Sequence, residues 1–206
     1  MSPRGRKLPE PEAPTRPDWL VVVLSAAGLV VAGYLTWLKW LGHGALFCVT
    51  GSSCDIVQAS RYAIFLGVPT ALWGAGLYAA LAVLGATGLT RPRWLAAFLV
   101  AAAAVGFSVY LTALSVFVLG ATCGYCLGSA AIAVALLVAL LRRRPPASGT
   151  PLLRPVRLAT YGGLAAAGAI VLGAFVFAAP GSAPGYALGL ARHLKATGAM
   201  MYGAYW

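Results

Sequence analysis

The chain has 206 residues, of which 61% are hydrophobic and only 9% are charged, and its formal net charge is +11. A soluble domain of this size needs far more charge on its surface, so the composition excludes an ordinary water-soluble protein and indicates an integral membrane protein. The basic residues lack the interleaved aromatic and polar surface that binds nucleic acid, so no nucleic-acid partner is expected.

In chain order, residues 1–18 are rich in proline and charge and are predicted to be disordered. Five long apolar runs come next, and they are predicted to be transmembrane helices, because only helices satisfy the backbone of such runs in lipid. The first run is too long for a signal peptide and has no small-residue cleavage site after it, which favours an uncleaved anchor. The predicted spans are 19–41, 67–89, 94–119, 123–141 and 156–179, with an outer loop at 42–66, a basic linker at 142–155 and an outer segment at 180–206.

The distribution of Lys and Arg predicts the orientation, since basic residues collect on the cytoplasmic side. Five spans put the N-terminus, the short loop after the second span and the 142–155 linker on one side, which is therefore cytoplasmic. That side carries Arg4, Arg6, Lys7, Arg16, Arg91, Arg93, Arg142, Arg143, Arg144, Arg154 and Arg157, against Lys39, Arg61, Arg192 and Lys195 on the other. The outer loops and the C-terminus then face the periplasm of a bacterial cell, with the chain in its inner membrane.

The four cysteines all fall on this outer side. Cys48 and Cys54 flank a Gly/Ser-rich loop, and Cys123 and Cys126 form a C-G-Y-C at the start of the fourth span. The outer compartment is where disulfides form and persist. A helix start favours the thiolate form of a nearby cysteine, so these pairs indicate thiol–disulfide exchange.

Two other interpretations of the cysteines remain open at this point. The pairs could be static disulfides that staple the outer loops, although C-x-x-C is seldom used in that way. Four thiolates could also bind Zn²⁺, although the loop spacing is longer than usual for such a site. No metal is expected in the favoured interpretation.

Several motifs together resemble the bacterial homologues of vitamin K epoxide reductase. They are Cys48, C-D-I-V-Q-A-S-R-Y from Cys54 to Tyr62, G-V-P-T-A from Gly67 to Ala71, and the C-G-Y-C. The resemblance implies an all-α four-helix membrane bundle at 19–141 around a quinone, with a fifth helix added. It implies a menaquinone or ubiquinone as electron acceptor and a thioredoxin-like, DsbA-like disulfide carrier as partner.

The resemblance also implies roles for individual residues. Cys123 and Cys126 are the centre that reduces the quinone, with Cys126 nearest the ring, and Cys48 and Cys54 are the shuttle pair. The partner attacks Cys54, and the released Cys48 then attacks Cys123. Three further positions are expected near the quinone, namely Ser60, Thr70 and Asp55. Each has an equally weighted alternative: a helix-capping hydroxyl for Ser60, a bond to its own helix backbone for Thr70 and a solvated loop carboxylate for Asp55.

One position departs from the animal enzymes of the family, because Ala130 stands where they carry a tyrosine. A respiratory quinone is therefore expected rather than vitamin K epoxide. Four tryptophans lie near span ends or on lipid faces, where a belt or packing position is favoured over lining a quinone pocket. They are Trp37, Trp40, Trp73 and Trp94.

The last residues, up to Trp206, are similar to the strand that precedes a fused thioredoxin-like domain in some homologues. The chain is therefore expected to be a truncated fusion, with the partner in cis, or otherwise to meet its partner in trans.

A membrane transporter or scaffold with structural disulfides is the alternative from another class. No matching broken halves are found, and charges such as Lys39 lie only near the ends of the predicted spans, which disfavours transport. An unrelated quinone-linked disulfide oxidase fold would have four spans and lack the stretch around Cys54.

Overall fold

The structure, a computed structural model, describes residues 16–41, 53–145, 155–178 and 193–194. Long apolar helices dominate these ranges, and the predicted all-α membrane fold is confirmed. A short helix and a two-stranded hairpin come after the first long helix. In chain order the elements are α1 (Trp19–Leu41), α2 (Ser53–Ala59), a 3₁₀ turn (Arg61–Ala63), β1 (Ile64–Phe65), β2 (Val68–Pro69), α3 (Thr70–Ala86), α4 (Arg91–Phe117), α5 (Gly124–Arg142) and α6 (Pro155–Ala178).

The second predicted span, about 67–89, corresponds to α3, which begins three residues later, at Thr70. The residues before it turn between two antiparallel strands, with Leu66 and Gly67 at positive φ values of 54° and 78°. Apolar composition alone does not distinguish such a hairpin from a helix. Among the described residues, α1, α4, α5 and α6 are long and apolar enough to cross a membrane. At 17 residues, α3 is about 25 Å long, slightly short of the hydrocarbon core.

The bundle is held together around Tyr78 of α3. A Cβ on Gly28 of α1 would lie 2.5 Å from the Tyr78 ring, so the missing side chain makes room for the ring. The hydroxyl of Tyr78 donates to the main-chain oxygen of Ser129 in α5 at 2.8 Å. One phenol therefore joins three helices and satisfies its own polar atom, as a buried tyrosine must. The surrounding core includes Val21, Ala32, Ala75, Leu81, Trp94, Ala97, Phe98, Ala101, Leu136, Leu140 and Leu158.

Of the belt and packing positions expected for Trp94, the structure shows packing in the core. Its side chain is fully buried, stacks on Phe98 and donates from Nε1 to the main-chain oxygen of Leu140 at 2.9 Å. Position near a span end indicates depth in the membrane but not the face of the helix. Trp37 and Trp40 are exposed, as a belt position requires.

Ionic and main-chain contacts join the helix ends opposite the cysteines. Asp18 accepts a bond from the main chain of Val21 at the start of α1, and it pairs with Arg143 at the end of α5. The Asp18 main chain also donates to Gly85 near the end of α3, at 2.9 Å. Since α1 has 23 residues, this end lies about 34 Å from the other.

Large apolar side chains also cover the outside of the bundle. Val30 of α1, Val171 of α6 and Phe175 of α6 are exposed over 70%, 66% and 75% of their surface. Such rows are costly in water and ordinary in lipid. The chain is therefore a multi-pass membrane protein.

Candidate functional site: a buried cysteine pair beside an apolar cavity

Cys54 and Cys123 meet in the interior of the protein. Cys54 lies on α2 and Cys123 directly precedes α5, and their sulfur atoms are 3.2 Å apart although the residues are 69 positions apart in sequence. Both side chains are buried, with 8% and 1% of their surface exposed. Cys54 is disulfide-bonded, whereas Cys123 and Cys126 carry free thiols. A free thiol thus lies in contact with a sulfur of a disulfide, which is the arrangement that thiol–disulfide exchange requires.

The surroundings of Cys123 favour its thiolate. Cys123 occupies the N-cap position of α5 with extended backbone angles, which places its side chain near the free N–H groups of the first turn. A hydrogen bond from the Cys126 thiol is the main cause that lowers the pKa of Cys123 to about 6 from 9.0. Burial acts in the opposite direction, while the main-chain N–H groups of Cys126 and Tyr125 and the Gln58 side chain lower it further. At neutral pH Cys123 is therefore mostly a thiolate.

The short helix α2 presents two side chains to Cys123. Cys54 and Gln58 are four residues apart and share one face of the helix. Lys39, in the last turn of α1, donates from Nζ to the main-chain oxygen of Gln58 at 2.7 Å. A cation at the end of a helix stabilises its free carbonyl groups, so Lys39 ties the end of α2 to α1.

Sequence reasoning assigned no role to Lys39 or Gln58. Two signals were present: Lys39 is the charged residue nearest the inside of a predicted span, and Gln58 lies one helical turn after Cys54. Neither signal indicates a contact until α2 is known to fold back onto α1 and α5.

A cavity of about 160 Å³ lies next to the cysteines. Its wall is largely apolar and aromatic, and it is built by α1, α2, the hairpin, α3, α4 and α5. Cys126 is part of this wall, whereas Cys123 and Cys54 are not. The polar groups that reach the wall include Lys39, Gln58, Thr70 and Ser129. Apolar walls with a few polar groups are typical of small-molecule sites.

The structure separates the predicted quinone contacts. Thr70 does line the cavity, and its hydroxyl donates to the main-chain oxygen of Tyr62 at 2.9 Å. Ser60 does not line it, because its hydroxyl turns back to the Val57 main-chain oxygen at 2.7 Å and closes the end of α2. Trp73 forms part of the wall, which is the less favoured of the positions expected for it, and donates to the Phe65 main-chain oxygen at 3.2 Å.

Two predicted site residues lie outside what the structure describes. They are Cys48, in the 42–52 gap, and the side chain of Asp55. The expected contact between Cys48 and Cys123 stays a prediction, while the contact that is observed joins Cys54 to Cys123. Among the described residues, no three His, Cys, Asp or Glu side chains come together as metal ligands.

The cavity fits a small planar redox group with an apolar body and polar carbonyl oxygens. Its aromatic wall suits a ring, its hydroxyl and amide groups suit carbonyl oxygens, and Cys126 is the thiol at its surface. A quinone has these properties.

Comparisons with known proteins point to the same chemistry. Residues 19–141 match the vitamin K epoxide reductase family. A plant protein, the thiol-disulfide oxidoreductase LTO1 of Arabidopsis thaliana, is 30% identical over 197 residues. That alignment covers 84% of this chain and 52% of the relative, so the chain spans about half the length of the relative it matches.

Proposed function

The chain belongs to the vitamin K epoxide reductase family, and from this we propose that it is a membrane thiol oxidoreductase that passes electrons from a thioredoxin-like, DsbA-like carrier to a quinone. Such an activity supports disulfide bond formation outside the cytoplasm. The observation that carries the proposal is the 3.2 Å contact between the sulfurs of Cys54 and Cys123 beside a cavity lined by Cys126. Two structural disulfides in the outer loops would not explain a free buried thiol in contact with a disulfide.

The proposed relay begins at the outer loop. A thiolate of the carrier attacks Cys48 of a Cys48–Cys54 disulfide and releases Cys54 as a thiolate. The second carrier thiol then displaces Cys48, so the carrier leaves oxidised and the loop pair is left as a dithiol. This order reverses the roles expected from the sequence for the two loop cysteines, because Cys54 is the one that contacts Cys123.

The second exchange moves the electron pair inward. The Cys54 thiolate attacks Cys123 of a Cys123–Cys126 disulfide, which forms a Cys54–Cys123 bond and releases Cys126. Cys48 then attacks Cys54, which restores the loop disulfide and leaves Cys123 and Cys126 reduced. Each step forms one sulfur–sulfur bond and breaks another, so electrons balance.

The lowered pKa of Cys123 gives the relay its direction. A thiolate that is stabilised in the reduced state makes its disulfide a stronger oxidant. The hydrogen bonds to Cys123 therefore favour reduction of the Cys123–Cys126 pair by the loop pair. The state of the structure, with Cys54 in a disulfide and both inner thiols free, corresponds to the end of this transfer.

The quinone, when bound, takes up two electrons and two protons. The residues that would hold it are those of the cavity wall. The Lys39 ammonium keeps further N–H donors for a quinone oxygen beside its bond to Gln58, and Trp73 is available to the ring. Cys126 faces the cavity, and Cys123 lies behind it to re-form the disulfide as the electrons leave. The buried position of Cys123 keeps its thiolate from water and from other oxidants.

The compartment is inferred from charge. The basic residues Arg93 and Arg143 lie at the end of the bundle that is distant from Cys54, and basic ends remain in the cytoplasm. The cysteines then face the periplasm, where the carrier works, and the membrane is the bacterial inner membrane. The carrier acts in cis if this chain continues into a thioredoxin-like domain, and otherwise in trans.

The test uses the purified chain in detergent with dithiothreitol as reductant and a short-chain ubiquinone as acceptor. Quinone reduction above the uncatalysed rate is expected, and Cys126→Ala and Cys123→Ala should abolish it. Thr160→Ala, an exposed change on α6, serves as the control and should leave it unchanged. Equal rates for Cys126→Ala and Thr160→Ala would show that the proposal is wrong.

A further inference from the structure

Helix α6 contacts the site although it lies outside the 19–141 match to the family. Its last turns carry Phe177, which is only 7% exposed. The ring of Phe177 packs edge-on against Tyr62 and Phe65, with centroid distances of 5.3 and 5.4 Å. It also stacks near Tyr110 of α4 at 6.3 Å. A helix that served only as an anchor would need none of these contacts.

The aromatic contacts continue from Phe177 to the cavity wall. Phe65 of β1 is 5% exposed and makes edge contacts with Phe107 at 5.4 Å and Trp73 at 6.0 Å. Tyr62, Phe107 and Trp73 line the cavity, whereas Phe65 and Phe177 do not. Phe65 and Phe177 therefore form a second layer directly behind three aromatic residues of the wall.

Helix α6 also packs so closely against α4 that the aromatic side chains of this layer have no space to move into. A Cβ on Gly106 of α4 would lie 2.5 Å from the Ala166 main-chain oxygen. A Cβ on Gly173 of α6 would lie 3.0 Å from the Tyr110 ring and 3.1 Å from the Phe107 ring. Small residues permit such close approach of helices in membranes. The position of α6 thus fixes how far the Phe107 ring can move back from the cavity.

We propose that α6, through Phe177, positions the aromatic wall of the cavity and thereby sets the affinity of the site for the quinone ring. Phe177 is a positioning residue, since it acts through Phe65 and Tyr62 and does not reach the cavity. The proposal rests on the proposed function for the identity of the ligand. In addition to that function, helix α6 belongs to the quinone site and does more than anchor the bundle in the membrane.

The same helix supplies a matched control. Phe175 lies two residues before Phe177 and is 75% exposed, on the face turned to lipid. Phe175→Ala and Phe177→Ala remove the same atoms from the same helix, and only the second leaves a gap behind the wall. Phe177→Leu fills much of that gap without the aromatic edge contacts, and it provides a milder variant if Phe177→Ala does not fold.

The experiment separates the two halves of the reaction. In a ping-pong enzyme, kcat/KM for the dithiol depends only on the thiol half, and kcat/KM for the quinone only on the other. Aromatic pairs contribute enough to predict about a three- to tenfold rise in the KM for a short-chain ubiquinone in Phe177→Ala. The kcat/KM for dithiothreitol should not change, Phe175→Ala should match the unsubstituted protein in both values, and Phe177→Leu should fall between.

Quinone binding is measured separately by quenching of tryptophan fluorescence, to which Trp73 in the wall responds. An unsubstituted protein that neither binds nor reduces the quinone would overturn the proposed function. If the unsubstituted protein binds and reduces it while Phe177→Ala binds as tightly as Phe175→Ala, only the role of α6 is overturned. A parallel loss of kcat/KM for both substrates would likewise reduce Phe177 to a general contribution to folding.

Discussion

The sulfur of Cys54 lies 3.2 Å from that of Cys123, and both atoms are shielded from solvent. The short helix α2 creates this contact by folding back over the start of α5. Seven residues cannot hold a helix by themselves, so α2 depends on its neighbours, including Lys39, for its position. The relay therefore depends on how firmly α2 is docked.

The order of the relay can be tested with two matched double variants. Cys48→Ser/Cys126→Ser keeps Cys54 and Cys123, whereas Cys54→Ser/Cys126→Ser keeps Cys48 and Cys123. The first pair should form a disulfide readily under mild oxidation, because its sulfurs are already in contact. Peptide mapping by mass spectrometry without reduction measures both. Faster bonding of Cys48 to Cys123 would restore the order expected from the sequence.

The tether from Lys39 to Gln58 should control that same bonding rate. Lys39→Met removes the donor to the Gln58 main-chain oxygen but keeps a side chain of similar length. A charge-assisted hydrogen bond contributes about 1.5–3 kcal/mol, and less for a half-exposed group such as this one. We expect Cys54–Cys123 bonding to slow severalfold and amide exchange in α2 to increase.

Lys39→Arg is the matched variant for this tether, since it keeps a donor at the end of α1. It should retain most of the bonding rate. A rate in Lys39→Met equal to that of the Arg variant would mean that the hydrogen bond does not position α2.

The pKa of Cys123 should be visible in a thiolate titration. With Cys54 in a disulfide, the ultraviolet absorbance of thiolate should rise with a midpoint at about pH 6, well below the ordinary 9.0. Because the pKa is lowered, the thiolate is the main form at neutral pH and is lost as the pH falls through 6. Quinone reduction should accordingly fall below pH 6.

The cause of that low pKa can be tested with Cys126→Ala, which removes the largest contribution. The midpoint should move upward by more in this variant than in Gln58→Leu, which removes the smallest. An unchanged midpoint in Cys126→Ala would contradict the role given to the Cys126 hydrogen bond.

The sequence allowed much of this fold to be predicted, because membrane helices are recognised from the length of apolar runs alone. The ends of α1 match the prediction, and those of α3, α4, α5 and α6 lie within a few residues of it. The later start of α3 arises where Leu66 and Gly67 are apolar or neutral yet turn a hairpin. Hydropathy predicts the environment of a residue but does not predict its backbone angles.

Only part of the candidate site could be predicted from the sequence. The cysteines carry a motif that can be read from the chain. Gln58 and Lys39 have no such motif, because their roles depend on contacts between distant positions of the sequence. Gln58 contacts Cys123, which is 65 positions away, and Lys39 contacts Gln58, which is 19 positions away. Ser60 shows the converse, since the motif left a helix-capping and a quinone-facing hydroxyl equally open, and only the structure shows that it closes the end of α2.

Two glycines of α1 offer a last test, of the packing that shapes the cavity. A Cβ on Gly28 would lie 2.5 Å from the Tyr78 ring, whereas nothing lies within 4 Å of one on Gly33. Replacing a helical glycine by alanine alone stabilises by roughly 0.5–1 kcal/mol, so Gly33→Ala should raise the unfolding temperature in detergent.

Gly28→Ala should lower that temperature, because overpacking costs about 1–3 kcal/mol. It should also weaken quinone binding, since Tyr78 lines the cavity and is held there by its bond to Ser129. In a double variant with Tyr78→Leu the ring is gone, so the two costs should sum to more than the cost of the double variant. Differential scanning fluorimetry measures the unsubstituted protein, Gly28→Ala, Tyr78→Leu and the double variant. Additive costs would show that the Tyr78 ring does not limit the size of the side chain at position 28.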